Sequence, residues 1–123
     1  MIVTISKDFT FDAAHHLPHM ADGHKCKRVH GHTYHLRVAL RGDVDHLSGI
    51  VVDFAVISSI VKKHVLDVLD HHDMNTVIEN PTAENIAAWI LQRLRETHLH
   101  DRPYRVVDYV ELRETDSSGV IVS

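Results

Sequence analysis

The chain carries one cysteine and thirteen histidines, and the cysteine stands in a histidine-rich stretch. In "GHKCKRVHGHTYHL", residues 23 to 36, Cys26 follows His24 and precedes His30, His32 and His35. Imidazole and thiolate are side chains that bind metal and move protons near neutral pH. Three readings compete: histidines that only pack, a structural zinc knot, or a catalytic metal beside a reactive sulfur. Cys26 with three histidines would make a closed structural centre, although compact centres of that kind usually draw on more than one cysteine. Three histidines with an open fourth position are instead the donor set of a catalytic zinc. In that reading Lys25, Lys27 and Arg28 favour the thiolate of Cys26, the form that acts as base or nucleophile. The same three cations serve equally as the solvated face of a loop.

Three further stretches hold groups with chemical potential. In "LDHHDMN", Asp70 precedes His71 and His72; a carboxylate beside an imidazole orients the ring and stabilises its charged form. Neighbours along a chain seldom touch side chain to side chain, so capping and solvation are the alternative. In "ENPTAE", Thr82 reads as a helix N-cap. In "LRET", Glu114 continues the inward parity of Val106, Val110 and Leu112, and an inward carboxylate needs a partner. A ligand with a row of N–H donors would supply one, as would an arginine. His98 and His100 repeat the His-x-His spacing at the expected end of a helix, where imidazolium complements the helix dipole. His35, His46 and His64 read as solvated.

The elements that must position these groups follow from periodicity. "IVTISKDFTFDAAH" alternates, with Val3, Ile5, Phe9, Phe11 and Ala13 on one face, and His15 continues that face. Residues 18 to 28, with Pro18 and Gly23, read as a loop. A second strand starts at His30 and turns Tyr34, Leu36, Val38 and Leu40 inward, with Thr33, His35, Arg37 and Arg41 outward. Residues i and i+2 share a face, so His30 and His32 project together, with Gly31 leaving room between them. Antiparallel pairing brings the end of the first strand beside the start of the second, and the rings of His15, His30 and His32 converge. Asp53 caps a helix to about Leu69, and Thr82 one to about Thr97. "YRVVDYVELRE" and "GVIVS" are closing strands around "TDSSG". The order β-β-α-α-β-β describes an α+β domain: a four-stranded antiparallel sheet with two helices on one face.

Length and composition narrow the classes. At 123 residues the chain suits a single domain with a hydrophobic core. A formal charge of −4 offers no broad attraction to nucleic acid or an anionic membrane. No apolar run reaches transmembrane length, and the first residues alternate rather than forming a signal-peptide core. A lone cysteine closes no intrachain disulfide, so a reducing cytoplasm fits.

Taken together, "FDAAHHLPH", "GHKCKRVHGH", "VVDF", "LDHHDMN", "NPTAEN" and "LRET" resemble, in order and over nearly the whole chain, the 6-pyruvoyl-tetrahydropterin synthase family. The Cys-x₃-His-Gly-His spacing is similar to that of its bacterial 6-carboxy-5,6,7,8-tetrahydropterin synthase branch, which serves queuosine biosynthesis. The resemblance implies the tunnelling fold, with trimers joined in a barrel and stacked into a homohexamer whose sites lie between subunits. It implies one zinc per subunit on His15, His30 and His32, Cys26 as catalytic base, and Asp70 with His71 as a proton relay. It also implies that Glu114 anchors the pterin ring, with Thr82 nearby. The implied substrate is 7,8-dihydroneopterin triphosphate, for whose triphosphate the charges of Lys25, Lys27 and Arg28 are candidates. The runner-up reactions are triphosphate elimination to 6-pyruvoyl-tetrahydropterin, or zinc and pterin binding without catalysis. His16 and His72 are the one-position alternatives to His15 and His71.

Overall fold

Alternation along the first strand gives it an apolar face that a helical layer covers and a polar face left open. The structure, a computed structural model, describes all residues from 1 to 123. Strand β1 (Ile2–His15) pairs antiparallel with β2 (His30–Asp43), from Ile2 opposite Asp43 to His15 opposite His30. Strands β3 (Arg105–Thr115) and β4 (Ser118–Val122) complete an antiparallel sheet in the order β1-β2-β3-β4, leaving β1 and β4 at the edges.

Helix α1 begins as Phe54–Val61, where the Asp53 carboxylate accepts from the Ala55 N–H. It widens into a π turn over Lys62–Leu66 and closes as one short turn, Asp67–Leu69. Helix α2 (Ala83–Arg95) is capped by Thr82, whose hydroxyl accepts from the Asn85 N–H. Ile57, Val61, Val65 and Leu69 of α1 and Ile86, Ile90 and Leu94 of α2 are fully buried on the inward face of the sheet, which supplies Phe11, Tyr34, Leu36 and Leu112 to one continuous core. Each such large apolar side chain stabilises the fold by about 1.5–3 kcal/mol. No helix is long and apolar enough to cross a membrane.

Strand β3 corrects the expected parity. Leu40 pairs with Val107 and Ala39 with Tyr109, so Asp108 is an extra residue with no partner on β2. This bulge turns Val107 inward in place of Val106 while preserving Val110 and Leu112. Arg95, at the end of α2, donates to the carbonyls of Val107 and Asp108 and so satisfies the disrupted ladder. His100 departs from its expected role as well. Its Nδ1 accepts from the Val107 N–H, and burial, with Arg102 and Arg95 nearby, pushes the imidazole below its ordinary value. A neutral ring bonded to a strand end cannot complement a helix dipole.

Candidate functional site

At the end of the sheet where β1 finishes and β2 starts, three imidazole rings meet. The register sets His15 opposite His30 and Ala13 opposite His32, so the three side chains share one face. Ring centroids lie 4.5 Å (His15–His30), 5.2 Å (His15–His32) and 5.0 Å (His30–His32) apart. One ring nitrogen of each lies within 4.8 Å of the others. His15 is 1% exposed. Its burial lowers the pKa, His30 and His32 push the same way, and the Pro81 carbonyl and Glu114 oppose. Gly31 does not make the room: a Cβ there would meet only the Ala13 carbonyl, at 3.6 Å, in ordinary contact.

The tautomers are fixed by backbone carbonyls. The buried Pro81 carbonyl lies 2.7 Å from His15 Nδ1, and the Arg28 carbonyl lies 2.7 Å from His30 Nδ1. A carbonyl only accepts, so each Nδ1 carries the proton and each Nε2 a lone pair. Those two Nε2 atoms face each other at 2.9 Å. Two lone pairs at that separation repel unless a cation lies between them. Nitrogens on a tetrahedral zinc with bonds of about 2.05 Å are about 3.3 Å apart, so the donor set fits a metal ion with little movement. Tyr34 closes the floor, its buried hydroxyl 3.4 Å from either nitrogen of His15. Burial and Glu114 push its phenol up.

Cys26 lies in a single 3-10 turn, Lys25–Lys27, and is half-buried. Its sulfur is not part of the three-histidine group. Its carbonyl accepts from Leu17 N–H at 2.8 Å, which ties the turn to the end of β1.

The Asp70–His71 pair forms within one chain. His71 Nδ1 is 3.0 Å from Asp70 Oδ1. His71 adopts φ +59°, a left-handed conformation that turns its ring back toward its neighbour. The segment from 70 to 75 then runs along the free edge of β1. Asp12 N–H donates to Asp70 Oδ1, His71 N–H to the Asp12 carbonyl, and Ala14 N–H to the His72 carbonyl. The Asn75 amide completes the ladder, accepting from His16 N–H and donating to the His16 carbonyl, both at 2.9 Å. An open cleft between these elements is lined by Asp12, Gly31, His32, Thr33 and His71 among others. His32 and His71 thus share one cleft, and Cys26 is not among its walls.

The remaining candidates divide. Glu114 is half-buried and close enough to His15 and Tyr34 to act on both electrostatically. The hydroxyl of Thr82 is engaged as the cap of α2. Lys25 and Arg28 are exposed, whereas Lys27 is paired with Asp22. His16 lies off the group, held by Asn75. His72 turns its Nδ1 to the Asp70 carbonyl rather than to the carboxylate. The carbonyls of Pro81 and Arg28 carry no signature in the sequence that would mark them as site atoms.

The chain is similar to known proteins over nearly its whole length. The family described as 6-pyruvoyl tetrahydropterin synthase matches residues 4–123. A 6-carboxy-5,6,7,8-tetrahydropterin synthase of Synechocystis is 41% identical over 75% of this chain and 74% of its own length. The Haemophilus influenzae protein of the same name is 37% identical over 93% of this chain and 94% of its own. The solved 6-pyruvoyl tetrahydropterin synthase of Caenorhabditis elegans superposes with a TM-score of 0.86 at 30% identity, covering all of this chain and 96% of that one. This chain belongs to the 6-pyruvoyl tetrahydropterin synthase family.

Proposed function

We propose that the chain is a zinc-dependent carbon–carbon lyase that converts 7,8-dihydroneopterin triphosphate and water to 6-carboxy-5,6,7,8-tetrahydropterin, acetaldehyde and triphosphate. The observation that carries this reading is the group of three imidazoles with two bare Nε2 atoms face to face, in a chain whose relatives bear the 6-carboxytetrahydropterin synthase name. His15, His30 and His32 would hold the zinc, which supplies Lewis acidity toward the vicinal hydroxyls of the substrate side chain. Cys26, as thiolate, takes a proton from side-chain carbon. His71 moves protons through Nε2 at later steps, because Nδ1 faces Asp70. The Glu114 carboxylate accepts from the N–H edge of the pterin ring, with Thr82 beside it. Lys25 and Arg28 bind the triphosphate, and Lys27 joins them if it leaves Asp22.

The two edge strands support assembly by ring closure. The β1 edge is laced to the segment 70–75 from Asp12 onward, leaving its earlier length and β4 available to pair between copies. Three copies close a barrel and two barrels stack into a homohexamer, in which Cys26 of one subunit meets the Asp70–His71 pair of another. The compartment is a reducing cytoplasm and the product feeds queuosine formation.

The second reading, 6-pyruvoyl-tetrahydropterin formation, has support in the solved relative of that name. Product analysis with zinc-loaded protein and dihydroneopterin triphosphate decides between them. Acetaldehyde in step with triphosphate supports the lyase; triphosphate without acetaldehyde supports elimination alone. Tight zinc and pterin binding with neither product would reduce the chain to a binding protein.

A further inference from the structure

Among the histidines around Cys26, His24 has no part in the metal group, yet it touches the cysteine's own peptide. A 3-10 turn leaves its first N–H groups without partners inside the turn. The residue before Lys25–Lys27 is His24, extended at φ −66° and ψ 132°, and its Nδ1 accepts from the Cys26 N–H at 3.1 Å. Gly23, at φ +87°, lets the chain turn sharply into this cap. His24 also accepts, through its carbonyl, from the Lys27 N–H.

The cap completes a chain of contacts. Cys26 is held at its N–H by His24 and at its carbonyl by Leu17, two residues beyond His15. Two residues after Cys26, the Arg28 carbonyl fixes the ring of His30. The turn that presents the thiol is therefore fastened to both strands that carry the imidazoles, and His24 fastens its leading end. We propose that His24 is a positioning residue for Cys26: as the neutral tautomer with its proton on Nε2, it holds the cysteine's peptide where the thiol can work. This rests on Cys26 being the base. The requirement is for an acceptor at the Nδ1 position, not for an imidazole, and asparagine, among the best cap residues, carries its amide oxygen there.

The test uses full-length, zinc-loaded protein and the variants His24→Ala and His24→Asn, with Cys26→Ala in parallel. For His24→Ala, kcat should fall roughly five- to tenfold with KM within roughly twofold of wild type, the signature of a misplaced group rather than lost binding. Bound zinc should be unchanged, and hydrogen exchange at the Cys26 amide should accelerate by a similar factor. His24→Asn should recover both turnover and amide protection. Wild-type kcat in His24→Ala, or equal impairment in His24→Asn, would overturn the proposal. Full turnover in Cys26→Ala would remove the base reading itself. The exchange comparison then judges His24 alone: unchanged exchange in His24→Ala refutes its hold on the peptide, and acceleration reversed in His24→Asn sustains it.

Discussion

Replacing Asp70 by asparagine removes a charge from the Asp70–His71 pair and leaves its hydrogen bonds a way to survive. One oxygen, Oδ1, accepts from both the Asp12 N–H and His71 Nδ1, each at 3.0 Å. An asparagine that places its amide oxygen there keeps both contacts. The Asp12 N–H holds the Asp70 carboxyl below the ordinary carboxylate range, against a smaller opposing effect of burial and with help from His71. Asp70 is therefore ionised at neutral pH, and Asp70→Asn subtracts one full negative charge facing the ring. Unit charges about 4 Å apart attract by about 1 kcal/mol in water and about 4 kcal/mol at an effective dielectric of about 20. The side chains are 40% (Asp70) and 78% (His71) exposed, which places the pair at the screened end, at about 1 kcal/mol. If that charge stabilises an imidazolium in the rate-limiting step, kcat falls by about fivefold. Asp70→Ala also strips the Asp12 N–H of its acceptor and loosens the ladder along β1, so its loss should be larger. Steady-state turnover at saturating dihydroneopterin triphosphate, with zinc content and circular dichroism checked for each variant, measures the difference. Wild-type kcat in Asp70→Asn, or identical losses in the two variants, would refute the reasoning that separates charge from scaffold.

His32→Ala should weaken zinc binding by at least roughly 100-fold in chelator competition, more than an outer-shell change does, while His100→Ala retains its zinc; equal losses would contradict the assignment by strand face. Cys26→Ala should bind zinc and pterin yet turn over roughly 10²–10⁴-fold more slowly, and near-normal turnover would remove it as the base. His100 gives a pH prediction. Its folded pKa is depressed below the reference value of 6.5, so the unfolded chain takes up the proton first and the stability it contributes, present above that value, is lost as pH falls through the folded pKa. His100→Asn keeps an acceptor for the Val107 N–H, so metal-free variant should lose less stability than wild type between about pH 7 and about pH 5 in urea titrations; parallel losses would contradict this.

What the sequence disclosed was set by local rules. The strict alternation of Ile2–His15, and of β2 around Tyr34 and Leu36, was enough to place His15, His30 and His32 on one face, and an antiparallel pairing did the rest. Asp53 and Thr82 announced the helix starts through their capping side chains. The misreadings arise where a local rule meets a long-range contact. Parity failed at Val106 because a bulge, held by Arg95 from α2, shifts the strand by one residue. The role given to His100 failed because Val107, close in space only after β3 folds back, claims its nitrogen. The Asp70–His71 contact depends on a positive φ at His71 and on the β1 edge, neither of which sequence spacing encodes. The carbonyls that set the imidazole tautomers belong to Pro81 and Arg28, and a backbone atom carries no sequence signature.

The central claim is that His15, His30 and His32 hold one metal ion and leave a position open, with the Cys26 sulfur outside its coordination sphere. X-ray absorption at the zinc edge of the loaded, substrate-free protein tests this most directly. The account predicts a first shell of nitrogen and oxygen alone, at about 2.0–2.1 Å. A sulfur scatterer at about 2.3 Å would contradict it, because it would make Cys26 a ligand and leave the proposed base bound.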